Sequence, residues 1–261
     1  MKLVRIFFKA VTMELSRRMA YKADFIIRCF ILVINSIISP IFALILYTTT
    51  PGIPGWKFEE FILFQGTLIF VFGFNHAFFW QLLSFTIYEV RKGSFDRFLL
   101  LPYKPLSYLT ASSIETDGFS EMFTGIIIIW WAFKKLGLSI FSANFILYIY
   151  LVFLALVFHY SLNIITASFS LIFIRSWALM DILSSLVIFA KYPASIYHIG
   201  MVFFFTFIFP IAISAHYPVQ ALLSAVSYKL ILFLTLSVSL FFYLSISLWN
   251  FGLKKYKSAG G

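Results

Sequence analysis

Residues 89–105 read EVRKGSFDRFLLLPYKP, a short charged segment that follows an apolar run long enough to cross a bilayer. Gly93 allows a turn, Ser94 can cap a new helix and Pro102 stops it, so about two helical turns fit between the glycine and the proline. A membrane protein with a sharply bounded, charged helix at the point where the chain leaves the membrane often presents that helix to a soluble partner. The segment therefore predicts a membrane fold and a partner outside the membrane.

The predicted short helix would carry apolar residues on two of its faces. One face would hold Phe95, Phe98 and Leu99, and another would hold Ser94, Arg97 and Leu101. We expect one face to dock on the membrane-spanning helices and the other to enter a groove on the partner. The candidate partner-contact residues are Arg91, Gly93, Ser94, Phe95, Asp96, Arg97, Phe98, Leu101 and Pro102. The alternative is an interfacial connector that binds no partner.

Composition places the chain among integral membrane proteins. Hydrophobic residues make up 62% of it, charged residues 11%, and the mean hydropathy is +0.97, which lies outside the range of soluble proteins. The net charge of +10 does not indicate nucleic-acid binding, because the basic residues gather at the ends of apolar runs, where they orient a membrane protein and contact headgroups. The single cysteine, Cys29, cannot form an internal disulfide, and we expect it to be a buried, inert thiol.

The apolar runs predict an all-α integral membrane protein with six transmembrane helices in a single domain, residues 1–261. The predicted spans are residues 25–47, 61–88, 119–133, 145–174, a stretch that ends near residue 192, and 229–252. Most basic residues fall on one side of these spans. The positive-inside rule therefore places both chain ends in the cytoplasm, with the chain in the cell (inner or plasma) membrane, and requires an even number of spans.

The stretch before the last span is punctuated by prolines. Residues 193–218 would form a re-entrant helical segment, because their most apolar part is too short to cross a bilayer comfortably. In the main alternative, residues 199–217 form the fifth span and residues 177–189 lie at the membrane interface.

Residues 1–22 predict an amphipathic helix ahead of the first span, since their polar residues recur at spacings of three and four. The basic residues expected to face anionic headgroups are Lys2, Arg5, Lys9, Arg17 and Arg18. Membrane lipid is therefore a predicted partner. Packing of this helix on the protein's own bundle is the alternative, and both interpretations place it on the cytoplasmic side.

Two histidines are the candidate polar residues inside the membrane. His76 and His159 fall within predicted spans, where a polar side chain is a functional candidate by default. We favour an interhelical hydrogen bond over a substrate contact for each. The sequence contains no GxxxxGK[ST], HExxH, CxxC or GxSxG motif, so we predict no P-loop, no metal site and no catalytic residue.

Two groups of charges lie near the predicted membrane boundary. Asp24 and Arg28, four residues apart, would form a local ion pair. Glu115, Asp117 and Glu121 precede the third span, and we expect them to form a solvated helix start, because carboxylates favour the N-terminal end of a helix.

Three stretches together resemble the permease subunit of ABC transporters of the ABC-2 type, in the branch known simply as ABC-2 family transporter proteins. They are residues 14–25, ELSRRMAYKADF; residues 93–102, GSFDRFLLLP; and the late prolines in YPASIY (192–197), FPIA (209–212) and YP (217–218). The resemblance covers nearly the whole chain. Each motif alone is weakly specific, whereas their order and spacing together are fairly specific.

The resemblance implies a six-span subunit that pairs with a second permease, identical or sister, above two copies of an ABC ATPase subunit. Residues 89–106 would be the cytoplasmic coupling loop, with the coupling helix at 93–102 seated on the ATPase. The chain itself would have no enzymatic activity and no cofactor, while the partner ATPase would bind ATP and Mg. An exporter of an amphiphilic or lipid-like substrate is the expected function. A secondary transporter, or a membrane-embedded lipid-handling protein without an ATPase partner, is the alternative.

Overall fold

The computed structural model describes residues 2–173, 177–224 and 226–257, and every regular element in these ranges is helical. The α-helices are α1 (Lys2–Ala20), α2 (Lys22–Thr49), α3 (Phe58–Phe78), α4 (Trp80–Arg91), α5 (Asp96–Leu99), α6 (Pro105–Ser112), α7 (Asp117–Leu136), α8 (Ala143–Ile172), α9 (Trp177–Ile188), α10 (Ile199–Phe203), α11 (His216–Leu223) and α12 (Tyr228–Lys255). The predicted all-α class is confirmed. The side chain of Lys2 lies outside the described residues.

Four of the described helices, α2, α3, α8 and α12, are long and apolar enough to cross a membrane. Helix α7, which contains the predicted third span, is 20 residues long, but it has acids near its start and two lysines at its end. Helix α9, in the region of the predicted fifth span, has only 12 residues. A multi-pass membrane protein follows from these helices, and the count of six spans stays a prediction.

The predicted second span, residues 61–88, is not one continuous helix. The backbone of Phe79 has φ −124° and ψ −21°, and its N–H closes the last turn of α3 on the carbonyl of Asn75. Helix α4 then starts at Trp80. Hydropathy alone does not reveal this break, because Phe79 is as hydrophobic as its neighbours.

The backbones of helices α3 and α7 approach each other closely at four glycines. A Cβ atom placed on Gly73 would lie 2.5 Å from the backbone nitrogen of Met122, and one on Gly125 would lie 2.6 Å from that of Phe70. Gly66 and Gly118 face the opposite helix in the same way. Because small residues let two backbones approach closely, these glycines hold the pair together where lipid provides no hydrophobic force.

Helix α8 forms the centre of the bundle, with α4, α11 and α12 packed around it. Helix α1 and the residue that follows α12 lie near the segment 93–102. Helix α1 packs on α6, and the ring of Tyr256, just after α12, lies 5.2 Å from that of Phe95. The amphipathic helix, the predicted coupling loop and the C-terminal end of α12 therefore share one end of the molecule.

The proline-punctuated segment folds back on itself before α12. Helix α10 continues as one turn of π-helix, Phe204–Ile208, and the chain turns at Pro210. Across the turn, the hydroxyl groups of Tyr217 and Thr206 lie 2.7 Å apart. The turn packs on α8, where the ring of Phe209 lies 5.3 Å from that of Phe158. The contacts fit the predicted re-entrant segment, and its depth in the membrane stays a prediction.

Candidate functional site

A buried carboxylate organises the loop between α4 and α6. Glu89 is only 3% exposed. Its carboxylate accepts a hydrogen bond from Ser94 Oγ at 2.6 Å and forms an ion pair with Arg97 at 2.7 Å. Gly93, with φ +69°, makes the turn that brings these residues back onto α4. Sequence reasoning missed Glu89. The signal was an acid at the end of an apolar run, with a serine and an arginine shortly after the turn.

The short helix in this loop differs from its prediction. It has a single turn, α5, because Leu100 already closes on Asp96 at its C-terminal end. The Ser94 hydroxyl does not cap α5, since it binds Glu89 instead. Phe95 and Phe98 are buried. The two-turn helix capped by Ser94 was therefore wrong in length and in cap.

Aromatic contacts anchor the loop from inside. The ring of Phe98 lies 5.7 Å from that of Phe85 on α4 and 5.9 Å from that of Tyr108 on α6. Phe95 contacts Phe98 and Tyr256. Phe95 and Phe98 therefore anchor the loop to α4, α6 and the residue that follows α12.

The outer side of the loop combines exposed leucines with basic residues. Leu99 is 45% exposed and Leu100 is 85% exposed, which separates Leu99 from the face it was predicted to share with the two phenylalanines. We call Leu99, Leu100 and Pro102 the tip. The exposed cations around it are Arg91, Lys92, Arg97 and Lys104, while Gly93, Ser94, Asp96 and Leu101 are partly buried.

Helix α1 is fixed to the bundle by an ion cluster that we call the Arg18 cluster. Arg18 binds Glu14 at 2.8 Å and Asp117 at 3.1 Å, and it also contacts Glu115. Glu115 accepts a second hydrogen bond from Gln81 on α4. The cluster therefore joins α1, α4 and the start of α7.

The Arg18 cluster corrects two predictions. Arg18 does not face headgroups, because its side chain is only 12% exposed, whereas the neighbouring Arg17 is 61% exposed. Glu115 and Asp117 do not form a solvated helix start, since both are bound by Arg18. Arg5, Lys9 and Arg17 are exposed as the amphipathic pattern predicts, and the predicted pair Asp24–Arg28 forms at 2.8 Å.

The attachment of α1 should depend on pH through Glu14. Burial alone would raise the pKa of its carboxyl group, but hydrogen bonds and the charges of Arg17 and Arg18 outweigh it, so the pKa lies below its ordinary value. The carboxylate therefore stabilises the fold above its ordinary pKa, near 4.5, and this contribution is lost as the pH falls through the lowered pKa. We expect the stability difference between wild type and Glu14→Gln to shrink in that acidic range. Melting curves between neutral pH and pH values below that range test this, and a difference that stays constant would contradict it.

The two candidate histidines contact different partners. His159 Nε2 lies 2.9 Å from Ser214 Oγ on the folded-back segment, which matches the predicted interhelical hydrogen bond. His76 Nδ1 lies 3.5 Å from Glu121 Oε2, linking α3 to α7. Among the described residues, no group of three or more His, Cys, Asp or Glu side chains could hold a metal ion.

Two cavities lie among the long helices. One, of about 490 Å³, lies between α2 and α3; its polar lining residues are Asn35, Ser36, Ser39, Gln65, Glu121 and Lys191. The other, of about 220 Å³, lies between α3, α4, α8 and α9; its polar lining residues are Asn75, His159, Asn163, Thr166 and Ser184. Phe72 borders both cavities. In both cavities most of the exposed surface is apolar, although about half of the lining side chains are polar. Small-molecule sites commonly combine apolar surface with polar groups in this way.

Long apolar helices and an anchored, charged loop at one end of them define a multi-pass helical membrane protein. The chain matches the family described as ABC-2 family transporter protein over residues 33–260, and it belongs to that family. Membership makes it the permease of an ABC transporter, a class of membrane subunit that generally works with ATPase partners. A search of curated proteins found no match to the chain.

Proposed function

We propose that the chain is the membrane-spanning subunit of an ATP-driven exporter, coupled through residues 89–106 to two copies of a separate ATPase. It would have six spans, with both termini in the cytoplasm, and would pair with an identical or sister permease. ATP and Mg would bind to the ATPase, and this chain would supply no catalysis.

The tip carries this proposal. Leu99 and Leu100 are exposed on a loop whose two phenylalanines, Phe95 and Phe98, are buried. Exposed leucines flanked by cations suit a protein interface, where apolar side chains fill a pocket and charges guide association. Because Glu89 and the aromatic contacts fix the loop to α4 and α6, a displacement of the tip would move those helices with it.

The location of the tip supports a cytoplasmic partner. It lies at the same end of the molecule as α1 and the lysines that end α12. By the positive-inside rule, a membrane protein keeps its excess of basic residues on the cytoplasmic side, where an ATPase has access to ATP.

The cavities support an amphiphilic or lipid-like substrate. In both, most of the exposed surface is apolar, and the polar lining side chains include one acid, Glu121, and one base, Lys191. A substrate with an acyl or aromatic body and a polar head would match this lining better than an ion or a sugar phosphate would.

The proposed coupling is tested with Leu99→Ser and Leu100→Ser together. We expect an ATPase that co-purifies with the wild-type chain to bind this variant about 30-fold more weakly, since losing the apolar centre of an interface costs about 2 kcal/mol. Both leucines are exposed, so the variant should fold normally. Phe98→Ala is unsuitable, because removing a buried phenylalanine destabilises the chain itself by about 3–5 kcal/mol.

The matched control is Ile140→Ser with Phe141→Ser, which removes two exposed apolar residues from the loop between α7 and α8. This variant should retain the ATPase. If both variants retained the ATPase equally, the tip would not be part of the interface. Transport by the wild-type chain without any ATPase would favour the secondary-transporter or lipid-handling alternative.

A further inference from the structure

A groove runs between α1 and the helices α4 and α6. Two adjoining cavities, of about 410 and 710 Å³, make up this groove and share four lining residues: Gln81, Phe85, Tyr108 and Ser112. The groove lies beside the coupling loop, and neither Leu99 nor Leu100 of the tip lines it. The proposed ATPase contact at the tip would therefore border the groove, and Arg97 belongs to both the coupling loop and the groove lining.

The lining of the groove is electropositive. Three basic side chains, Lys9, Arg17 and Arg97, line it against one carboxylate, Glu14. Arg17 and Arg97 each bind a carboxylate at 2.7 Å, yet their side chains are 61% and 58% exposed. A guanidinium has five N–H donors, so both arginines can bind a further anionic oxygen while keeping their present partners.

The rest of the lining suits an acyl chain with a polar head. Phe85, Phe98 and Leu101 provide an apolar wall beside Arg97, and Ile6 and Met13 provide another on α1. The hydroxyl-bearing residues Tyr103, Tyr108, Ser112 and Ser113 complete the lining. A free phosphate would use the cations and leave these apolar walls in water, whereas a phospholipid would cover both.

We propose that the groove binds an acidic phospholipid from the leaflet at this end of the molecule. The phosphate would lie at the α1 side of the groove, near Lys9 and Arg17, and an acyl chain would lie along Phe85 and Phe98, beside Arg97. The lipid would thereby bridge α1 and the loop that contains the tip. The binding site itself rests only on the membrane location of the chain, whereas the position of the lipid beside an ATPase contact rests on the proposed function.

The binding is tested on the purified full chain in detergent. Phosphatidylglycerol and phosphatidylcholine are titrated separately, and bound lipid is counted by native mass spectrometry. We expect the wild type to prefer phosphatidylglycerol. The variant Lys9→Gln with Arg17→Gln should bind it roughly 30-fold more weakly, from about 1 kcal/mol for each charge removed. Arg18 still binds Glu14 in this variant, so the fold should persist, which size-exclusion chromatography checks.

The control variant is Lys22→Gln with Lys254→Gln, which removes the same charge from exposed positions outside the lining. It should keep the wild-type affinity within about twofold. Equal losses in both variants, or no preference of the wild type for phosphatidylglycerol, would overturn the site. Binding of glycerol 3-phosphate as tight as that of the lipid would overturn the role of the apolar walls. None of these measurements involves the ATPase, so they are independent of the coupling test.

Discussion

Replacing Arg18 by leucine should destabilise the chain by about 3–5 kcal/mol, the usual cost of removing one partner of a buried ion pair. Arg18 contacts Glu14, Glu115 and Asp117, and the four side chains are only 9–14% exposed. Without the guanidinium, the carboxylates at the start of α7 would stay buried without their cation. We expect α1 to separate from α6 and the melting temperature to fall. Hydrogen exchange of the α1 amides and a thermal melt would measure both effects.

Arg17→Leu is the matched control for Arg18→Leu. Arg17 binds the same carboxylate, Glu14, but is 61% exposed, so its loss should cost less than about 1 kcal/mol. Adding Glu115→Gln and Asp117→Asn to Arg18→Leu should restore part of the stability, because the uncompensated charges are then gone. Equal destabilisation by Arg17→Leu and Arg18→Leu would mean that the cluster does not hold α1 in place.

The second large effect is expected from the helix pair α3–α7. Gly73→Ala with Gly125→Ala would place methyl groups 2.5–2.6 Å from backbone nitrogens of the facing helix. No rotamer change can relieve a clash with backbone, so the helices must separate. Overpacking of this kind costs about 1–3 kcal/mol per site. We expect the melting temperature to fall by several degrees and the yield of folded protein to drop.

Gly200→Ala is the control for the glycine substitutions. A Cβ atom at Gly200 has only the His198 ring within 4 Å, at 3.8 Å, and Gly200 lies in α10. Alanine there should be neutral or slightly stabilising, since it lowers the entropy of the unfolded chain. A stable Gly73→Ala/Gly125→Ala protein would show that α3 and α7 can move apart at little cost.

The candidate site could be predicted only in part from the sequence. The order of charge, glycine and proline in residues 89–105 located a bounded loop correctly, because turn and stop signals act locally. The role of each side chain within the loop was not predictable. Whether Phe95, Phe98 or Leu99 faces inward depends on the positions of Phe85, Tyr108 and Tyr256, which come from three other parts of the chain.

The Arg18 cluster could likewise be predicted only in part from the sequence. The amphipathic pattern of residues 1–22 correctly left Arg5, Lys9 and Arg17 exposed, because helical periodicity sorts side chains into faces. It grouped Arg18 with them, since the pattern contains no information about acids nearly a hundred residues later. The contacts of Arg18 with Glu115 and Asp117 form only when α1 packs on the rest of the bundle.

The sequence by itself determined the membrane class, the helical architecture and the family, because hydrophobicity, turn residues and motif order are properties of the chain read in one dimension. The tertiary structure decided where the second predicted span breaks, how closely α3 and α7 approach, and which residues of the loop 89–106 anchor it and which form the tip. It also brought Lys9, Arg17 and Arg97 to one groove. These features arise from contacts between distant segments, and such contacts exist only after the helices have packed.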